Sequence, residues 1–251
     1  MPVWLSAGLW GLFGASSLII GAGLAFVLKL PRWASAGIMS FGCGVLISAV
    51  AYELLEDGFQ EGGILPIIGG AIAGSAAYAL ADWLVSRNGG HHRKQSGAGE
   101  QQHASAGGGL AIAIGSLLDG IPESIVLGLG LLSGGGVSLA MLAAIFLSNF
   151  PEGLSSALGM RAAGRSKAYI FGLWTTIVLV SGAASSIGAA AFGGASPQIV
   201  AAVNAVAAGA LLTMVVNTMI PEAVEGEQKL TGVLVVLGLL VAFSLSNFSA
   251  G

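Results

Sequence analysis

Three short stretches of this chain place Pro-Glu just after another polar residue, each within or at the end of an apolar run. Residues 119–124 read DGIPES, residues 148–153 SNFPEG and residues 217–223 NTMIPEA. Residues three and four apart share a helix face. Asp119 and Glu123 therefore form one polar stripe, Ser148, Asn149 and Glu152 a second, and Thr218 and Glu222 a third. Proline removes a backbone N–H and displaces the carbonyl four residues back, which loosens Leu118 ahead of Pro122 and Leu147 ahead of Pro151. No Lys or Arg stands between Lys94 and Arg161 to neutralise the first two stripes. A charge at the centre of a bilayer span costs at least about 2.5–3.5 kcal/mol, so protonation or a bound cation must offset it. Carboxylate, amide and hydroxyl oxygens are the ligands that hard divalent cations accept. A metal site over Asp119, Glu123, Ser148, Asn149 and Glu152 is expected. Single polar residues such as Ser148 or Asn149 can also simply bridge helices by hydrogen bonds.

The elements that must position these groups are transmembrane helices. The chain has 251 residues, of which 55% are hydrophobic and only 8% charged. A soluble domain carries about 25% charged residues, so this chain cannot cover a water-facing surface. Its net charge of −3 says little about partners, and no nucleic-acid partner is expected. The single cysteine, Cys43, excludes an internal disulfide framework and a Cys-rich metal site and reads as a packing residue. The first apolar run lacks a basic n-region and is as long as a span, so it is not expected to be a secretory signal.

A span needs about 20 mostly apolar residues, which predicts eight: roughly 5–28, 34–55, 64–86, 108–132, 137–160, 168–192, 198–220 and 230–248. The expected fold is one all-α transmembrane domain over 1–251. Its one long connection, at about 87–107, is polar, Gly/Ser/Gln-rich and expected to be disordered and cytoplasmic. All nine basic residues fall in odd-numbered connections. The positive-inside rule then makes those connections cytoplasmic and leaves both termini extracellular or periplasmic. Trp33, Trp83 and Trp174 are expected at the cytoplasmic interface and Trp4 at the outer one. Glycines such as Gly8, Gly11 and Gly14 are expected to let helix backbones approach closely.

The other acids extend a cation path. The second span ends outward with Glu53, Glu56, Asp57 and Glu61, and the seventh ends inward with Asn217, Glu222, Glu225 and Glu227. Acidic mouths concentrate cations by focusing the field; Glu61, Glu225 and Glu227 also read as solvated loop charges. Residues 44–58, GVLISAVAYELLEDG, resemble residues 209–223, GALLTMVVNTMIPEA. The spans run in opposite directions, so spans 1–3 and 6–8 read as an inverted repeat around central spans 4–5, as in many transporters.

These residues resemble the ZIP (Zrt/Irt-like) family of divalent metal transporters over essentially the whole chain. The family's fourth-span motif, His-Asn-x-Pro-Glu-Gly, is matched by Asp119-Gly120-Ile121-Pro122-Glu123-Ser124, and its fifth-span motif by Ser148-Asn149-Phe150-Pro151-Glu152-Gly153. The resemblance implies that the family's paired metal site carries over onto Asp119, Glu123, Ser148, Asn149 and Glu152. It also implies a homodimer and transient cytoplasmic metal capture by His91, His92 and His103, which read equally as incidental histidines of a linker. Asp119 replaces the family's histidine, Gly120 the neighbouring amide, and the sixth span has no acidic residue, Ser185 being its nearest polar candidate. One principal metal site is therefore expected. An all-oxygen set shifts preference from Zn²⁺ toward Mn²⁺ or Fe²⁺, although carboxylates bind zinc too; Cd²⁺ and Co²⁺ are further candidates.

The expected function is import of a divalent transition metal across the cell membrane by alternating access, with the metal as cargo and no prosthetic group. No Gly-rich nucleotide-binding motif is present, and the chain is not expected to be an enzyme. The alternatives are a proton-coupled transporter of small organic cations and a metal-sensing membrane receptor. An intramembrane hydrolase lacks a His-Glu-x-x-His helix and a second mid-span Asp.

Overall fold

The computed structural model describes residues 1–28, 31–85, 87, 108–132, 136–226 and 229–249. The described residues are helical apart from short connections, and they form eight rods at the expected places. α1 is Val3–Val27. α2 starts as Arg32–Ala49, loosens into a π turn over Val50–Glu56 and finishes as Asp57–Gly62. α3 is Ile64–Val85, α4 Gly108–Gly130, α5 Leu139–Ala162 and α6 Lys167–Phe192. α7 repeats the pattern of α2, with Pro197–Met214, a π turn over Val215–Met219, and Ile220–Gly226. α8 is Thr231–Ser249.

Five of these rods are long and apolar enough to cross a membrane, among them Val3–Val27, Ile64–Val85 and Lys167–Phe192. That makes the chain a membrane protein. The apolar rim and the polar centre follow from composition. α3 and α8 expose Leu65, Ile72, Val236 and Leu240, which suit lipid. α5 instead buries Ser148, Asn149, Glu152, Ser155 and Ser156 along with its apolar residues. A helix so enclosed needs no lipid-compatible face, which is why it can afford these groups.

The packing divides the helices into two sets. α1 packs closely on α5 and α6, and α6 on α4; α3 packs on α7, and α2 on α8. Between the sets run fewer contacts, chiefly α2 on α5 and α4 on α7. Glycines set the closest approaches. Gly44 lies against the Val235 carbonyl of α8, and Gly209 against the Ala71 carbonyl of α3. Gly153 of α5 lies against the Leu18 carbonyl of α1. At each of these positions a Cβ would collide with backbone rather than with a side chain that could turn away.

One interfacial expectation fails. Trp33, Trp83 and Trp4 are exposed, but Trp174 is fully buried among Leu18, Leu154, Ile170 and Ile177. It lies two turns inside α6 on the face that meets α1 and α5, so packing outweighs its preference for the membrane surface. His91, His92 and His103, and most of the 87–107 connection, lie outside the described residues.

Candidate functional site

The site lies where α4 and α5 face each other at mid-length. Pro122 and Pro151 are both accommodated inside continuous helices. At Pro151 the loosened Leu147 carbonyl is met by Gly42 of α2, where an added Cβ would stand 3.3 Å from the oxygen. A Cβ there would need the backbone to give by a few tenths of an ångström, so the glycine eases the approach of α2 to Pro151.

Two hydrogen bonds fix the register of the pair. Ser116 Oγ of α4 donates to Glu152 Oε1 of α5 at 2.7 Å, and Ser148 Oγ of α5 shares its one proton between Glu123 Oε1 of α4 at 3.2 Å and its own helix's Ile145 carbonyl at 3.0 Å. The helices therefore run antiparallel, and each contributes one carboxylate and one serine to the seam. Glu152 and Ser148 are four residues apart, about 6 Å along the axis, so the carboxylates stand about one turn apart in depth. Glu123 is 2% exposed and Glu152 5%. Asn149 of α5 is buried as well.

Asp119 takes a different direction. It is buried like Glu123, yet its Oδ1 accepts a 2.5 Å hydrogen bond from the Tyr78 hydroxyl of α3. The expected five-residue cluster is thus resolved into an α4–α5 seam of Glu123, Ser148 and Glu152, an Asp119–Tyr78 pair on the α3 side, and Asn149, which is buried in α5. Among the described residues, no three His, Cys, Asp or Glu side chains come together as a cluster that could hold a metal ion. Any cation at the seam would take its remaining ligands from hydroxyl, amide or backbone oxygens.

The expected path residues do not gather at this seam. Glu53 is half-buried within the π turn of α2; its Oε1 accepts from Ser246 Oγ of α8 at 2.8 Å, and its Oε2 is buried with no hydrogen-bond partner. Asp57 is exposed, as is Asn217, and Glu222 is half-buried at the start of the last segment of α7. Ser185, the polar candidate of the sixth span, donates to the Ala7 carbonyl of α1 at 2.8 Å and serves packing.

Two participants were absent from the sequence reading. Ser116 stands three residues before Asp119 and seven before Glu123, on the same helix face, so extending that stripe backward by one turn would have found it. Tyr78 is the lone tyrosine of its span, a polar tip in an apolar helix, but nothing local indicates its partner. Neither a protein-family model nor a curated protein sequence matches the chain.

Proposed function

We propose that the chain is a multi-pass transporter of divalent transition-metal cations, of the Zn²⁺, Fe²⁺ or Mn²⁺ class, carrying its cargo across the cell membrane toward the cytoplasm. The observation that carries this reading is the α4–α5 seam, in which two buried carboxylates each hold a serine of the opposite helix. A serine hydroxyl is a donor and also has two lone pairs. With its proton turned away, Ser148 or Ser116 offers oxygen to a cation that the carboxylates attract. Glu123, Glu152, Ser148 and Asn149 would then supply an all-oxygen set suited to hard or borderline divalent ions. Asp119 would steer the approach from the Tyr78 side. The described basic residues sit at helix ends or in the turns, as Arg161 and Lys167 do, so the centre is left to cationic cargo.

The resemblance of DGIPES and SNFPEG to the ZIP motifs supports the same reading. So does the pairing of the helices. The spacing that separates Gly44 from Gly209 also separates Val50 from Val215, where the two π turns begin. α2 packs on α8 as α7 packs on α3, the arrangement an inverted repeat of spans 1–3 and 6–8 would produce. π turns inside α-helices occur often at functional sites, and alternating access would act between the two packed sets.

Metal uptake into proteoliposomes tests the proposal. The Glu123→Ala, Glu152→Ala double variant is expected to abolish saturable uptake of Zn²⁺, Mn²⁺ and Fe²⁺ while remaining folded in detergent. Undiminished uptake overturns the assignment. Saturable binding without flux would instead identify a sensor, and uptake of an organic cation with proton release would identify the proton-coupled alternative.

A further inference from the structure

The turn between α5 and α6 carries Arg161, Arg165 and Lys167 within seven residues. Among the described residues none of the three has a carboxylate partner. Arg161 and Lys167 are exposed and Arg165 half-exposed. Like charges so close repel, yet the backbone holds them together. The Arg165 N–H donates to the Met160 carbonyl and the Gly164 N–H to the Arg161 carbonyl, both at 3.0 Å. This is a Schellman ending of α5, with Gly164 at a φ of 76° that favours glycine.

Aromatic rings fix the side chains in turn. The Arg161 guanidinium and the Lys167 ammonium both stand over the Phe26 ring, at 5.4 and 5.2 Å, and Arg165 stands over Tyr169 at 5.2 Å. Phe26 stacks on Phe171 of α6. Arg161 donates one N–H to the Ala25 carbonyl at 3.1 Å, and a guanidinium carries five such donors. At the start of α6, Ser166 Oγ caps the Tyr169 N–H, and the Ser166 carbonyl accepts from the Ile170 N–H. The N–H groups of Lys167 and Ala168, in the first turn, have no acceptor within the helix. Exposed Val27 and Leu28 lie alongside at the end of α1. The corner thus combines three preorganised cations, free amide donors and an apolar flank at a helix end.

We propose that this corner binds the phosphodiester headgroup of an anionic phospholipid, whose acyl chains lie against the end of α1. Basic pockets between membrane helices take anionic headgroups, and a planar guanidinium forks onto phosphate oxygens. The ring contacts keep the cations in place before a lipid arrives, which lowers the ordering cost of binding. The assignment depends on the chain being a membrane protein and is independent of any metal at α4–α5.

The test uses the whole chain in nanodiscs of mixed phosphatidylglycerol and phosphatidylcholine with matched acyl chains, followed by native mass spectrometry of the lipid retained. The wild-type chain is expected to retain phosphatidylglycerol preferentially. Each neutralised cation is expected to lower that preference about fivefold, the equivalent of about 1 kcal/mol per basic residue at an anionic surface. The Arg165→Gln, Lys167→Gln pair leaves the bond of Arg161 to Ala25 in place, so its result does not depend on that contact. Gly164→Ala keeps all three charges but strains the turn, and is expected to weaken the preference as well. No preference in the wild-type chain, or a preference unchanged in both the double variant and Arg161→Gln, overturns the proposal. Release of the lipid by inorganic phosphate at unchanged ionic strength would overturn it in favour of a free-phosphate site.

Discussion

Asp119 and Glu123 share one stripe of one helix but meet different neighbours. Glu123 faces α5 through Ser148, and Asp119 faces α3 through Tyr78. The stripe itself was legible, because i, i+4 spacing places both carboxylates on one face wherever the helix lies. Which helix each would meet was not, because Tyr78 and Asp119 are 41 residues apart and the intervening connection says nothing of how α3 lies on α4. Leaving a buried polar group without its hydrogen-bond partner costs about 1–3 kcal/mol. Tyr78→Phe is therefore expected to destabilise the protein by about that amount in thermal unfolding in detergent, with the fold retained. The same substitution removes the Tyr78 hydroxyl from Asp119 Oδ1. If Asp119 steers the cation, Tyr78→Phe is expected to change the ratio of Mn²⁺ to Zn²⁺ uptake. An unchanged ratio alongside lowered stability would leave Asp119 with a structural role alone.

At the scale of elements, the positions of the eight helices were readable because they depend on the composition and length of each apolar run. The prolines were readable as interior positions of α4 and α5 for the same local reason. The π turns of α2 and α7 were not. An i→i+5 shift needs no particular residue, so the likeness of residues 44–58 to 209–223, which brings Val50 onto Val215, did not mark Val50–Glu56 and Val215–Met219 as π turns. The glycine contacts were readable as a tendency and unreadable as pairs, since GxxxG-type spacing does not name its partner. Their energetic weight is testable. Gly44→Val and Gly209→Val each drive a side chain into the backbone of α8 or α3. Backbone cannot rotate away, so each is expected to cost at least the about 1–3 kcal/mol of ordinary overpacking, read as a lowered unfolding temperature. Gly23→Ala, where an added Cβ meets nothing within 4 Å, is expected to have no measurable cost. Equal effects at Gly23 and Gly44 would mean that close approach between α2 and α8 does not govern stability.

At the scale of the whole molecule, the orientation of the chain decides what a transporter of this kind could do. The membrane potential is worth about 2.3 kcal/mol per charge per 100 mV, and a divalent ion doubles it. Its sign favours entry into a negative interior, and the same seam reversed in the bilayer would see outer and inner faces exchanged. The distribution of basic residues points to a cytoplasmic α5–α6 turn, which carries Arg161, Arg165 and Lys167, and to an opposite side for the α6–α7 turn, which carries no charge. Both turns offer an exposed serine, Ser166 in the first and Ser196 in the second. The native thiol, Cys43, is fully buried and gives little background to a bulky reagent. A membrane-impermeant maleimide applied to intact cells is expected to label Ser196→Cys at once. Ser166→Cys is expected to react only after permeabilisation. The reverse pattern would place the cationic turn outside, against the positive-inside bias, and the inward direction of transport would have to be given up.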